Sequence, residues 1–319
     1  MKRRTFLTSL PAASVALAAT TGLVPIAASA AGSGTQVVAA QKFKVGDIVV
    51  TAISDGYIAL PLGALQGISP ENMADLFAKA HKDPSGFQAA VNAYLVQSGD
   101  ENWLIDAGTG NVFGPTLGDV PKVLAALGVA PSQISKLIVT HMHGDHIGGA
   151  LADGAALYPN AELVVTAADH GFWSSRDIQA QAPENFRGGF DLAIGVFDAY
   201  GDRLRLVKDE ADLAPGLTAR PLPGHTVGHQ GVMIESGNDS LLIWGDVVHV
   251  APVQMVRPEV TIGFDTDQDM AAKTRADVFA SLAGTGQKIA GMHMPFPGVG
   301  YVEKAGDGYR FEPVGWQYL

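Results

Sequence analysis

The sequence predicts an α/β fold in which two mixed β-sheets pack face to face with helices on the outside. Three observations lead there. Short apolar runs alternate with helix-like segments along most of the chain, the pattern of sheets covered by helices. Hydrophobic residues make up 47% of the sequence and charged residues only 17%, which suits a compact globular chain with a large core. Finally, an arrangement of apolar run, metal-binding side chain and nearby Gly or Pro recurs at His141, His225, Asp246 and His293. Ligands at strand ends sit on a rigid scaffold while their loops line a cleft.

The elements follow in order. Phe43, Val45, Ile48, Val50 and Ala52 mark the first strand region, and residues 57–60 are expected to pair with it. Residues 70–82 read as a helix, with Ser69 as N-cap and Pro70 in the first position. Residues 92–97 and 102–105 form two strands joined by Ser98-Gly99-Asp100-Glu101. Residues 119–127 form a helix closed by Gly128, and 136–140 form a strand. In the second half, 162–165 is a strand, 167–175 a short helix and 183–200 irregular or helical. Strands follow at 203–207, 217–220, 231–235 and 241–244, the last two turning through Gly237-Asn238-Asp239. The last long helix is 267–282, with Met270, Ala271, Val278 and Leu282 on its inner side.

Residues 1–30 read as a targeting segment outside the fold. Lys2-Arg3-Arg4-Thr5-Phe6-Leu7 is a twin-arginine n-region, a mildly apolar stretch follows, and Ala28-Ser29-Ala30 supplies an A-x-A cleavage site. Residues 31–41 read as a small-residue linker and 42–319 as a single domain. No uninterrupted run of about 20 apolar residues is present, which argues against stable membrane anchoring. The expected location is periplasmic, and with no cysteine the chain gains nothing from disulfides there. The formal charge is −11, and the first thirty residues hold bases but no acid, so the mature chain is more acidic still. Such a charge disfavours nucleic acid and anionic membranes and favours a neutral substrate.

The chemistry is concentrated in Thr140-His141-Met142-His143-Gly144-Asp145-His146-Ile147-Gly148-Gly149, which reads H-x-H-x-D-H after the apolar run 136–139. A lone histidine is seldom a ligand, and His81 and His170 are read as surface or helix-capping residues. An ordered cluster of imidazoles and a carboxylate is the donor set of zinc and similar divalent ions. Pro223-Gly224-His225-Thr226-Val227-Gly228-His229, Ile243-Trp244-Gly245-Asp246 and Gly291-Met292-His293-Met294-Pro295 bring further donors. Asp106 ends the apolar run Trp103-Leu104-Ile105 and needs a partner once buried; it is read as orienting ligands or loop backbone. Gly148-Gly149 and Gly188-Gly189 read as ordinary loop glycines.

H-x-H-x-D-H, G-H-T-x-G-H, G-D and a late His together resemble the metallo-β-lactamase superfamily, over nearly the whole mature chain. The resemblance implies the αβ/βα four-layer sandwich. It implies that His141, His143 and His225 hold one metal, that Asp145, His146 and His293 hold another, and that Asp246 bridges them together with a hydroxide. Asp145 and Asp246 would orient that hydroxide, and His229 would hydrogen bond within its loop. Two divalent ions, zinc by preference with Mn, Co or Fe as alternatives, would activate the water.

Within the superfamily, Ala52-Ile53-Ser54-Asp55-Gly56, Phe113-Gly114-Pro115-Thr116-Leu117-Gly118, Phe172-Trp173, Pro295-Phe296-Pro297-Gly298 and Gly308-Tyr309-Arg310-Phe311 look closest to methyl parathion hydrolase and its lactone-hydrolysing relatives. That branch implies a substrate pocket of Phe113, Trp173 and Phe186 or Phe190, with His249, Ile262 and Phe264 as the wall beyond Asp246. The activity implied is hydrolysis of neutral lactones or aryl esters, with organophosphate triesters as a side reaction. The alternatives are a dedicated phosphotriesterase and, further off, an iron-dependent redox enzyme. The implied partners are a small neutral ester and the twin-arginine export machinery; a homodimer stays open.

Replacing Arg3 and Arg4 with Lys is expected to block export of the full-length chain, because the receptor reads the arginine pair and not its charge. Cell fractionation checks this, and efficient recovery of the Lys variant from the periplasm would point to an ordinary secretory route instead.

Overall fold

In the computed structural model the described residues are 37–83, 85–317 and 319. The targeting segment and the first part of the linker lie outside them. Two seven-stranded sheets form the centre. The first runs, edge to edge, through Ala40–Val45, Ile48–Leu60, Phe87–Ser98, Glu101–Ile105, Lys136–Ile138, Glu162–Thr166 and Leu204–Val207. The second runs through Asp212–Ala214, Leu217–Pro221, Gln230–Ser236, Asp239–Ile243, Lys288–Ala290, Val299–Ala305 and Gly308–Pro313. In both sheets the spatial order is the chain order. Both are mixed: Glu101–Ile105 pairs parallel with Lys136–Ile138, and Asp239–Ile243 parallel with Lys288–Ala290, while hairpins supply antiparallel pairs.

The two-residue period of a strand sends alternate side chains into different layers. In Phe87–Ser98, Tyr94 and Val96 enter the core between the sheets, while Ala93 and Leu95 enter the core on the outer face. Leu104, Leu137 and Leu163 also face outward, and helices α2 (Val120–Ala126) and α6 (Glu184–Tyr200) cover them through Val123, Leu124, Phe190, Val196 and Phe197. Across the molecule Leu242 and Ile289 face outward beneath Val278 and Phe279 of helix α8 (Gln268–Leu282). This gives four layers: helix, sheet, sheet, helix. Strands buried on both faces need near-continuous apolar sequence, which is why they read so clearly. Among the described residues no helix is long and apolar enough to cross a membrane.

Several expectations are corrected. Residues 57–60 do not form a separate strand beside the first. They continue Ile48–Leu60, whose register slips at Ser54/Gly56, and they pair with the start of Phe87–Ser98. The first strand region is itself a hairpin, since Ala40–Val45 pairs with Ile48–Ile53. Ala40 and Gln41, assigned to the linker, therefore belong to the sheet, and Gln41 is buried. The helix from Pro70 ends at Lys79; Ser69 caps it by accepting from Asn72 N at 3.3 Å. Met270 is 41% exposed and does not face the core, because the helix capped by Asp267 turns Ala271, Val278 and Phe279 inward instead. Gly188 and Gly189 lie inside helix α6 and not in a loop. The C-terminal hairpin Val299–Ala305 and Gly308–Pro313 carries no periodic signature strong enough to stand out in the sequence.

A side lobe stands at the ligand-bearing edge of the sheets. Leu60, Leu65, Phe77, Phe87, Val250, Val253, Val260 and Ile262 form its core, joining helix α1 (Pro70–Lys79) to the segment after Asp246. The loop after Glu101–Ile105 is pinned by Asp55, fully buried on the register slip. Its carboxylate accepts from Thr109 N and Thr109 Oγ1 at 2.8 Å each and from Val120 N at 2.9 Å, so it also caps helix α2.

Asp55→Ala strands two buried backbone donors and is expected to destabilise the fold by about 3 kcal/mol. Chemical denaturation should show a lower midpoint with an unchanged slope; an unmoved midpoint would show that water replaces the carboxylate.

Candidate metal centre

Each ligand-bearing loop begins where a strand stops. Lys136–Ile138 delivers His141 and His143, and the four-residue helix α3 (Gly144–Ile147) follows with Asp145 and His146. Asp239–Ile243 delivers Asp246, Lys288–Ala290 delivers His293, and the turn after Leu217–Pro221 delivers His225. The Gly148-Gly149 pair that closes the first motif is not ordinary. A Cβ on Gly149 would lie 2.0 Å from Ala107 O and one on Gly148 2.2 Å from Thr109 O, so only glycine lets the two loops touch.

The donor atoms converge in two groups, one of His141, His143 and His225 and the other of Asp145, His146, Asp246 and His293. In the first, His141 Nε2 is 3.0 Å from His143 Nδ1 and 3.2 Å from His225 Nε2, and the last two nitrogens are 2.9 Å apart. In the second, Asp145 Oδ2 lies 3.3 Å from His293 Nε2 and 3.5 Å from His146 Nε2. Asp246 joins them. Its Oδ2 is 3.0 Å from His293 Nε2, 3.1 Å from His249 Nε2, 3.3 Å from His146 Nε2 and His225 Nε2, and 3.7 Å from His141 Nε2. His249, read from sequence as pocket wall, thus faces the carboxylate of Asp246, in a further group with His225 and Asp246.

Outer partners fix which nitrogen faces inward. His225 Nδ1 donates to Asp265 Oδ1 at 2.8 Å, His146 Nδ1 to Asp106 Oδ2 at 2.6 Å, and His293 Nδ1 to Ala90 O at 2.7 Å. Each of these rings therefore turns its Nε2 to the centre, the usual means of orienting metal-binding imidazoles. Asp106 takes a left-handed backbone, φ 58°, which brings its carboxylate back to accept from Thr140 N and Thr140 Oγ1 at 2.7 Å each. His229 lies outside both groups. Its Nδ1 donates to Leu222 O at 2.6 Å and its Nε2 accepts from Asp246 N at 2.9 Å, so it holds the backbone of the bridging residue. Gly245 leaves room for this, since a Cβ there would lie 2.4 Å from His229 Nε2.

Two orienting acids were not singled out from sequence. Asp265 accepts from Ile262 N at 3.0 Å as well as from His225, and Asp169 ties the two histidine loops together through Met142 N, Thr226 Oγ1 and Gly228 N. The only hint is an acid just after an apolar stretch or on the inner turn of a short helix.

Burial, then mutual repulsion of imidazoles, holds His141 and His143 well below the ordinary histidine range, so both are neutral donors. Burial also pushes His229 down to about 3, consistent with the accepting Nε2. Burial opposes the charged form of His146, His225 and His293 too, but the facing carboxylates outweigh it. His225 rises to about 9, His293 to about 10, and His146 well above its usual value. Burial would raise Asp145 and Asp246, yet the surrounding imidazoles draw both well below the carboxylate range. A cation would displace those imidazole protons, so its affinity weakens as pH falls. The donors fit a divalent ion on a second ground: His146 Nε2 and Asp246 Oδ1 are buried without hydrogen-bond partners.

A pocket of about 350 Å³ opens beside the first group, lined by His143, Trp173, Phe186, Phe190, Phe264 and Asp265 among others. Trp173 packs at 4.7 Å against Phe190, the rings tilted by 45°, and meets His143 edge-on at 5.4 Å. Phe113, 50% exposed, lies against Gly144 and not in this pocket. Ile262, expected as pocket wall, is fully buried in the side lobe, where it pairs with Leu65.

Fold and ligand set together define a protein of one class, a four-layer sandwich with histidine and aspartate clusters at one edge. The family model of the metallo-beta-lactamase superfamily matches residues 87–304, and the chain belongs to that superfamily. Among solved structures, AbOPH, a hydrolase in the beta lactamase superfamily, superposes with a TM-score of 0.84 at 31% identity, covering 89% of this chain and all of that one. AidC, a dizinc quorum-quenching lactonase, has a TM-score of 0.83 over 88% of this chain and 99% of its own, and at 24% identity shows the fold alone. Among curated relatives, the atrochrysone carboxyl ACP thioesterase of Aspergillus chevalieri is 29% identical over 197 residues, 61% of this chain and 51% of its own length. The chain spans about half the length of the curated relatives it matches.

Asp246→Ala is expected to lower metal content per chain, measured by mass spectrometry of purified protein. Asp106→Ala, which leaves every ligand in place, should weaken metal affinity by about 10–100-fold in a chelator competition. Full occupancy in the Asp246 variant would show that this carboxylate is not a ligand.

Proposed function

We propose that the protein is a dinuclear-metal hydrolase of neutral esters, acting on lactones or aryl esters, with organophosphate triesters as a side reaction. The observation that carries this reading is the position of Asp246 Oδ2, within 3.7 Å of imidazole nitrogens from both donor groups. His141, His143 and His225 would hold one divalent ion and Asp145, His146 and His293 the other, with Asp246 shared; zinc suits this mixed N and O set. Such a pair, when bound, lowers the pKa of water and polarises the acceptor oxygen of the substrate.

The chain's own residues do the rest. Asp106, Asp265 and Ala90 O hold three imidazoles in one tautomer and one orientation. Asp145 and Asp246 balance the charge of the centre and aim at the same small volume. The aromatic slot of Trp173, Phe186, Phe190 and Phe264 receives one arm of the substrate beside His143. A planar lactone or aryl group fills such a slot better than a tetrahedral phosphotriester with its two further substituents. His249 Nδ1 is buried without a hydrogen-bond partner, and the ring stacks on His293 at 5.1 Å. An imidazole here can donate to a leaving oxygen, an effect worth up to about 10²–10⁴-fold when well placed. The named thioesterase relative, whose substrate is also an acyl derivative, supports acyl transfer to water. The targeting segment supports a periplasmic site of action after twin-arginine export.

A panel of lactones, aryl esters and methyl phosphotriesters on zinc- or manganese-loaded protein tests this. His249→Leu is expected to lower lactone turnover and leave phosphotriester turnover equal or higher. Faster hydrolysis of a phosphotriester than of any lactone or aryl ester by the unaltered protein would reverse the substrate ranking.

A further inference from the structure

A second pocket, of about 470 Å³, adjoins the other donor group through His293. Helix α1, the start of Phe87–Ser98, the short helix Ala251–Gln254 and the C-terminal hairpin enclose it. Its volume falls in the range of small-molecule sites. Leu76, Phe87, Met255 and Phe311 make its walls apolar, and its lining contains three cations, Lys79, Lys82 and Arg310, but no Asp or Glu. In a chain of formal charge −11 this is a local inversion of sign. Lys79 and Arg310 hold Asp75 and Glu312, but these pairs are exposed and weak. Lys82 has no carboxylate partner among the described residues. A fourth cation, Lys304, sits 4.0 Å over the ring of Tyr309, which also lines the pocket.

We infer that this pocket binds amphipathic anions: it takes the hydrocarbon arm of an acyl chain whose far end carries a carboxylate. An ester at the metal centre then has one arm in the aromatic slot beside His143 and its acyl arm in the cation-rimmed pocket beside His293. This substrate assignment rests on the hydrolase reading and alters it from neutral esters to esters with an anionic acyl tail; the binding site does not rest on it.

Calorimetry on zinc-loaded protein at low salt compares octanoate with 1-octanol. Octanoate should bind about tenfold more tightly, the size of one charge-assisted hydrogen bond. Lys82→Gln combined with Arg310→Gln should bring octanoate down to the level of the alcohol, and Ala80→Trp, which fills the cavity, should weaken both. Octanoate bound through the metals would keep its affinity in the double variant, and that result would overturn the site. The second arm compares p-nitrophenyl octanoate with the mono-p-nitrophenyl ester of suberic acid. A kcat/KM preference for the suberate that vanishes in the double variant supports the substrate class; no preference overturns it. If no aryl ester is cleaved while octanoate binds as stated, the hydrolase reading fails and the pocket stands.

Discussion

One buried carboxylate oxygen, Asp246 Oδ2, dictates much of the surrounding architecture. Five imidazole nitrogens lie between 3.0 and 3.7 Å from it, and none of these side chains is more than 4% exposed. Neither the acid nor the rings could be buried so without compensation, since an isolated charge in an apolar interior costs far more than a fold can spare. Every other feature of this edge answers that problem. His229 holds the backbone of Asp246, Asp106 and Asp265 hold the backs of two rings, and Asp169 fastens the loops from which the rings project.

The orienting acids form an outer ring of negative charge behind the imidazoles. Asp106 is pushed up by burial even though His146 and Thr140 pull it down. Asp169 is raised to about 6 for the same reason, despite three donors. The scaffold therefore carries a standing electrostatic load that divalent charge relieves. Stability and metal loading are two readings of the same energy.

Much of this was legible in the sequence, and unevenly so. The layers were readable because strands covered on both faces leave long apolar runs, as in 93–96 and 103–105. Five of the seven donors stood out because their spacing within H-x-H-x-D-H and G-H-T-x-G-H is local, and Asp246 and His293 because each follows an apolar run. What needed three dimensions was everything set by long-range packing. Asp265 lies 40 residues from His225, its hydrogen-bond partner, and only the apolar stretch before it hints at it. Ile262 follows Asp246 closely enough to suggest a pocket wall, yet its pairing with Leu65 carries it into the side lobe. Gly149 looks like any loop glycine until Ala107 O is seen where a methyl group would be.

The order of strands carries a consequence for how the molecule is put together. The first sheet is complete by Val207 and the second begins only at Asp212, so each is built from one unbroken stretch of chain. The donors divide along the same line: His141, His143, Asp145 and His146 come from the first stretch, and His225, Asp246 and His293 from the second. During synthesis the earlier half can settle while the later one is still on the ribosome, but the first donor group stays open until His225 has been added and the second until His293 has. A metal held by both stretches would act as a clasp between two separately made halves, added to the apolar core that the two sheets share.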